Sequence, residues 1–361
     1  MSAKQAAQGL VSAETAPLGA VVGVARAGIR ETAAAGVANA AGDPMTVNTI
    51  FDVASVTKVA ATTTALLRMV TLEMVHLDDP VLKFLPTTAC APQTTLRHLL
   101  QHRAGLWEWQ PLYLGTPHLD ALPLRYPFDA AHHYSDLGFM LLGRVIAAVT
   151  GAPLDAAIRE LVTAPLALAA TGYRPDPGLG LIAASARGDA AERRMVETGE
   201  PYPILTERRD FAWREGEIAG QVNDGNAFHA LGGVSGHAGL FSTVDDLLRL
   251  GTALASAEQH TELWHPDAVS EFFREGPDVG QALGWRSQRA RTCGQEQRML
   301  WHPGFTGCAL GIVPDAGTAV VMLSNRLLAT TPTTTEALWR RALPVLLGDT
   351  QPRTTEGTRT S

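Results

Sequence analysis

Near the N-terminus, Ala20-Val21-Val22-Gly23-Val24-Ala25 predicts a short strand, Arg26-Ala27-Gly28 a turn, and the residues from Ile29 to Val37 a return strand. The pattern then lengthens to that of a helix over 55–73. Its run from Val59 to Val70 is largely apolar, so this helix is expected to be buried. A compact helix is predicted at 95–102, stopped by Ala104-Gly105, whereas 106–130 is rich in Trp, Pro and Tyr without a period and reads as loop. Helical character returns over 137–149, ending at Thr150-Gly151, and again over 154–163. Residues 172–232 mix glycine, proline and opposed charges, which predicts long excursions around a site rather than a second core. Beyond Gly239 lie a helix at 245–256 capped by Thr243, strands at 283–286, 308–313 and 318–323, a helix at about 333–347, and a polar tail, 350–361, expected to be disordered.

Strands thus fall near both termini, with helix and loop between them. The economical fold is α+β: one antiparallel sheet made from both chain ends, flanked by helices, with a mostly helical inserted lobe. The expected boundaries are 1–80 with 233–349 for the sheet lobe and 81–232 for the insertion. An active site between the two follows from that arrangement.

Composition narrows the function classes. The 361 residues are 46% hydrophobic and 18% charged with a net charge of −7, as in a soluble globular protein. No basic stripe offers itself to nucleic acid, and the doublets Arg193-Arg194 and Arg208-Arg209 read as solvated surface. No stretch reaches the ~18 apolar residues of a membrane span, and the N-terminus lacks the pattern of an export signal, so a cytoplasmic location is expected. Cys90, Cys293 and Cys308 have neither disulfide nor zinc spacing and are expected to be reduced and structural.

The chemistry is concentrated in Ser55-Val56-Thr57-Lys58. Residues at i and i+3 share a helical face, so the lysine amine can lie beside the serine oxygen. An adjacent base is one of the few ways to activate a serine near neutral pH. Burial is expected to push the amine toward its neutral form, and the free N–H groups of a first helical turn favour negative charge on a nearby oxygen. Two later segments complete the set: Tyr134-Ser135-Asp136 before the helix at 137, and His302-Pro303-Gly304-Phe305 before a strand.

In that order, Ser-x-x-Lys, Tyr-Ser-Asp and His-x-Gly resemble the motifs of the serine β-lactamase-like superfamily. The resemblance is strongest to the branch of class C β-lactamases, D-alanyl-D-alanine carboxypeptidases, and family VIII-type esterases and acyltransferases, and it covers about 17–347. It implies a β-lactamase/transpeptidase-like fold without a cofactor. Ser55 would be the acylated nucleophile, Lys58 would take or relay its proton, and Tyr134 would act as a second base that then protonates the leaving group. The Ser55 and Phe305 N–H groups would form an oxyanion hole, each such donor supplying on the order of 3 kcal/mol. Asp136, His302 and Gly304 would border the substrate. Asp136 stands where β-lactamases usually carry asparagine, and His302-Pro303-Gly304 replaces their Lys-Thr-Gly. A carboxylate at 136 would favour a charged Lys58 and repel an anionic substrate, and both departures favour an ester or neutral amide over an anionic β-lactam.

Trp107, Trp109, Tyr113 and Trp213 are candidates to line a pocket, or equally to pack the core. His98 and His102 have metal spacing without the glutamate that would complete a zinc motif, so no metal is expected. Ser235 and His237 read as turn and structural residues. The resulting expectation is serine-dependent acyl transfer through Ser55, hydrolysing small esters or amides. The alternative is an acyltransferase passing the acyl group to an amine or alcohol. A non-catalytic sensor with the same fold is disfavoured by the intact Ser55, Lys58 and Tyr134.

Overall fold

The structure is a computed structural model that describes residues 3–13, 15–115, 118–206, 210–292 and 294–348. Cys293, Arg208, Arg209 and the tail 350–361, each the subject of an expectation above, lie outside the described residues. The main sheet is antiparallel, in the order Ile29–Gly36, Gly19–Arg26, Thr318–Ser324, Ala309–Val313, Gln295–Pro303, Arg286–Thr292. Val21 lies opposite Leu323 and Val24 opposite Val320, so the first hairpin completes a sheet begun by the C-terminal strands. The fold is α+β, one antiparallel sheet made from both chain ends and flanked by helices, as expected.

Alternation along the strands sends side chains to two cores. Val21, Val321 and Leu323 pack with the helical body of the molecule, and Val22, Val320 and Met322 pack beneath the helices Ala3–Leu10 and Thr335–Leu347. Trp339 of the last helix stacks on Trp301 at 5.7 Å between ring centroids. Gly311 leaves room for it, since a Cβ there would meet the indole at 2.9 Å. Helix Val244–Ala255 covers the opposite face.

Two elements lack the expected sequence pattern for physical reasons. Arg286–Thr292 is the sheet's edge and carries the sequence RSQRART, so no apolar run announces it; the strand expected at 283–286 begins only at Arg286. Ala3–Leu10 buries Ala3, Ala6, Ala7 and Leu10, a helical stripe built almost wholly from alanine. Helices Ala190–Thr198 and Pro266–Phe273 are further elements beyond those expected.

The helix expected over 55–73 is present but uneven. A 3-10 turn, Ala54–Val56, leads into a π-helical turn, Lys58–Thr63, and then into regular helix, Thr64–Thr71. The wider turn is a local departure of the kind found at functional sites. Helix Asp136–Thr150 starts where the Ser135 hydroxyl accepts from the Gly138 N–H, leaving Tyr134 just outside the first turn. Among the described residues no single helix is long and apolar enough to cross a membrane. Asp136–Thr150 and Leu154–Thr163 pass that test only together, bent by 79°.

Candidate active site

Three elements deliver the predicted residues to one cleft. The two-residue strand Phe51–Asp52 pairs with Leu240–Ser242 and fixes the entry to the serine turn. Ala54 then takes a left-handed conformation, φ +47°, unusual for a residue with a Cβ, and the chain turns so that Ser55 begins the helix. One helical turn on, Lys58 Nζ lies 2.9 Å from Ser55 Oγ and 3.2 Å from the His237 carbonyl oxygen.

Tyr134 arrives from the second element. His102 pins the backbone on both sides of it: the His133 N–H donates to the His102 carbonyl and the Ser135 N–H to His102 Nδ1, each at 2.9 Å. The His102 ring packs 4.7 Å from the Tyr134 ring, centroid to centroid. The Lys58 amine lies 5.0 Å from the centroid of the Tyr134 ring. Next in sequence but one, Asp136 places Oδ1 2.7 Å from Lys58 Nζ.

That ion pair decides between two opposed expectations, burial toward the neutral amine and the Asp136 carboxylate toward the charged one. Burial alone favours the neutral amine, and Lys58 is fully buried; the Asp136 carboxylate and the Tyr134 oxygen nevertheless outweigh it and push the lysine pKa up to about 12. Lys58 is therefore an ammonium in the resting site. A carboxylate at position 136 is plain in the chain, but its distance from the amine is a property of the fold.

The third element is the strand end at Pro303-Gly304-Phe305. A Cβ on Gly304 would sit 2.4 Å from the Val53 carbonyl oxygen, so only glycine lets this strand end lie against the serine turn. The Arg326 guanidinium donates to the Phe305 carbonyl at 2.7 Å and holds the turn. Ser55, Tyr134, Asp136, Gly304 and Phe305 all line one cavity of about 380 Å³. A larger concavity of about 540 Å³, bordered by Asp155, Arg159 and Thr163, contains none of them.

Three predicted substrate contacts do not reach this cavity. His302 is buried, with Nδ1 2.8 Å from the Pro303 carbonyl, and burial together with Lys58 and Arg286 holds its pKa well below the ordinary imidazole value. It packs behind Tyr134, ring centroids 5.9 Å apart. Trp107 turns its indole N–H to the Pro123 carbonyl, and its own carbonyl accepts from Ser135 Oγ. Trp213 packs with Tyr113 and Phe211. Of the four aromatic candidates only Trp109 reaches the wall, which it forms with Met195, Pro201 and Tyr202, with Glu192, Asn223, Asp224 and Arg286 as polar lining. Trp109, Pro201, Tyr202, Asn223 and Asp224 come from loops without a periodic signal, whereas Glu192 and Met195 sit on the helix Ala190–Thr198 and Arg286 opens the edge strand.

Asp136, Asp224 and His237 bring one potential metal-ligand atom each to within 4.8 Å of one another. The donors are already engaged. Lys58 pairs with Asp136, Ser235 Oγ meets His237 Nδ1 at 2.7 Å, and Asp224 Oδ1 meets His237 Nε2 at 2.9 Å. A divalent cation would have to sit against the ammonium, which like-charge repulsion opposes. His98 and His102 are likewise committed, His98 Nδ1 to Thr95 and His102 Nδ1 to Ser135.

A serine and a lysine one turn apart at a cleft, on this fold, define a serine hydrolase of the β-lactamase type. The chain belongs to the beta-lactamase family, whose model matches residues 6–343. It is 29% identical over 322 residues to a putative D-alanyl-D-alanine carboxypeptidase of Escherichia coli (strain K12), covering 78% of this chain and 70% of that protein. An N-acetylmuramyl-L-alanine amidase of Bacillus subtilis (strain 168) matches at 29% over 319 residues, 78% and 69% covered. Among solved structures, EstCE1, a hydrolase with promiscuous acyltransferase activity, superposes with a TM-score of 0.68 at 25% identity, covering 95% of this chain and 97% of its own. A class C beta lactamase from Rhodobacter sphaeroides gives 0.66 at 21% identity, 95% and 98% covered.

Proposed function

We propose that the chain hydrolyses small esters or amides through an acyl-enzyme on Ser55. The observation that carries this reading is the 2.9 Å approach of Lys58 Nζ to Ser55 Oγ, at the wall of a cavity that also holds Tyr134. The Ser55 oxygen attacks the substrate carbonyl carbon, and the Ser55 and Phe305 amides stabilise the oxygen that becomes negative. Because Lys58 is charged, its part is electrostatic: Tyr134 enters the step as a phenolate beside the ammonium and takes the serine proton, and Lys58 stabilises the negative charge as it passes to the substrate oxygen. Tyr134 then protonates the departing alcohol or amine, and water releases the acid. Replacing Tyr134 with phenylalanine keeps the ring packing and removes the proton carrier, so turnover of an activated ester is expected to fall at least ~100-fold. Near-normal rates would take Tyr134 out of the mechanism.

The lining supports a substrate with an apolar acyl part and no anionic group beside the carbonyl. Trp109, Met195, Pro201 and Tyr202 supply apolar surface, and the Asp136 carboxylate repels an anion near the nucleophile. We place this cleft between the sheet lobe, 1–80 with 233–349, and the inserted lobe, 81–232. Acyl transfer to an amine or alcohol is the second reading, favoured by the likeness over nearly the whole chain to a hydrolase with promiscuous acyltransferase activity. Offering an activated ester with a panel of amines separates the two: amide product that grows with amine concentration establishes transfer, and acid alone establishes hydrolysis.

A further inference from the structure

Asp52 is buried at 3% exposure, two residues before the turn serine's neighbour, and both of its carboxylate oxygens are committed to backbone amides. Oδ1 accepts from the Ala54 N–H at 2.8 Å and Oδ2 from the Asn223 N–H at 2.6 Å. The Asp52 carbonyl accepts from Thr306 Oγ1 at 2.8 Å. One residue thereby touches all three walls of the cleft: the turn that leads into Ser55, the segment that carries Asp224, and the strand end that carries Phe305.

What this tie holds is not a relaxed conformation. Ala54 is left-handed, a state that is sterically costly for a residue with a Cβ and persists only where its surroundings impose it. The Asn223 side of the tie is itself anchored, because Arg214 donates to the Val222 and Asn223 carbonyls at 2.7 and 2.8 Å and is paired with buried Asp189 at 2.7 Å. Two N–H donors require two acceptor oxygens. An ionised carboxylate provides them, whereas an amide or a protonated acid provides only one and turns a donor toward the other N–H.

We propose that Asp52 is a positioning residue for the acylation step: its carboxylate, bridging the Ala54 and Asn223 amides, holds the strained turn that aims Ser55 and fastens it to the opposite wall of the cleft. The proposal rests on the reading of Ser55 as the nucleophile. It also makes the geometry sensitive to acid. Burial raises the Asp52 pKa to about 6, the Asn223 and Ala54 amides oppose the rise, Asp224 adds to it and Arg214 opposes it; the Cys308 thiol, 3.5 Å from the Asp52 carbonyl, is the other titratable neighbour. The bridging carboxylate is thus present above about pH 6 and lost below it.

The test compares full-length wild type with Asp52→Asn, reading the rate of fluorophosphonate labelling by intact mass and kcat and KM on an activated ester from pH 5 to 7.5. Loss of one buried, charge-assisted contact predicts labelling and kcat down about 10- to 100-fold at pH 7.5, with KM within twofold. The variant's rate is expected to be flat with pH, and the wild-type rate to fall toward it with a midpoint near 6. Labelling of Asp52→Asn within twofold of wild type at pH 7.5 overturns the proposal. Where the variant does not fold, the wild-type profile decides: a midpoint near 6 carries the proposal and a flat profile overturns it. Failure of wild type to label at Ser55 would instead remove the nucleophile assignment, a different outcome from equal labelling of the two proteins.

Discussion

Ser55→Ala is expected to abolish covalent labelling by a fluorophosphonate and to lower ester turnover by on the order of 10⁴-fold or more, the scale left when a nucleophile is deleted and only binding and oxyanion donors remain. The substitution removes one oxygen from a half-buried position, and Lys58 keeps Asp136 and the His237 carbonyl as partners. The thermal midpoint is therefore expected to stay within about 2 °C of wild type, as for a change that leaves no buried charge unpaired. The site contains a rival that makes this experiment informative. Ser235, His237 and Asp224 form a serine–histidine–aspartate chain of hydrogen bonds at 2.7 and 2.9 Å. Ser235 is 3% exposed and does not line the cavity, so no substrate carbonyl reaches its oxygen. Ser235→Ala should label at the wild-type rate, and full labelling of Ser55→Ala would move the chemistry to that second serine.

How much of the site is legible in the chain depends on how far apart the interacting residues lie. Ser55 and Lys58 are readable together because a single helical turn fixes their relation, and the π-helical turn that follows does not disturb it. The sheet is readable at Val21, Val321 and Leu323, where alternation marks a buried face, and unreadable at Arg286–Thr292, where an edge strand needs no such face. The protonation state of Lys58 is legible only as two opposed tendencies. Its apolar surroundings are local and argue for a neutral amine, while the carboxylate that tips the balance to the ammonium is delivered by another helix start at 2.7 Å. The aromatic lining is legible only as a set of candidates. Trp107 and Trp109 are two positions apart in a loop without a period, and only the fold decides that Trp109 meets the cavity while Trp107 braces Ser135.

Lys58→Met separates the lysine's two contributions. Its ammonium offsets the Asp136 carboxylate in a site where Lys58 is fully buried and Asp136 only 18% exposed, so removing it leaves an uncompensated charge beside Asp224. Breaking a buried pair in this way costs about 3 kcal/mol or more, to be read as a lowered midpoint in urea. Turnover and labelling are expected to fall at least ~1000-fold, because the positive charge that stabilises the developing oxyanion and the Tyr134 oxygen is gone. Lys58→Met with Asp136→Asn removes both charges; much of the stability should return and none of the activity. Recovery of activity in the double variant would mean that Lys58 serves only to neutralise Asp136. The pH profile gives an independent reading. A lysine raised from 10.5 to about 12 by folding contributes stability that is complete below 10.5 and lost as pH climbs through 12. Lys58 therefore keeps its charge across pH 5–10, and any rate change in that window belongs to another group, with Asp52 the candidate on the acid side.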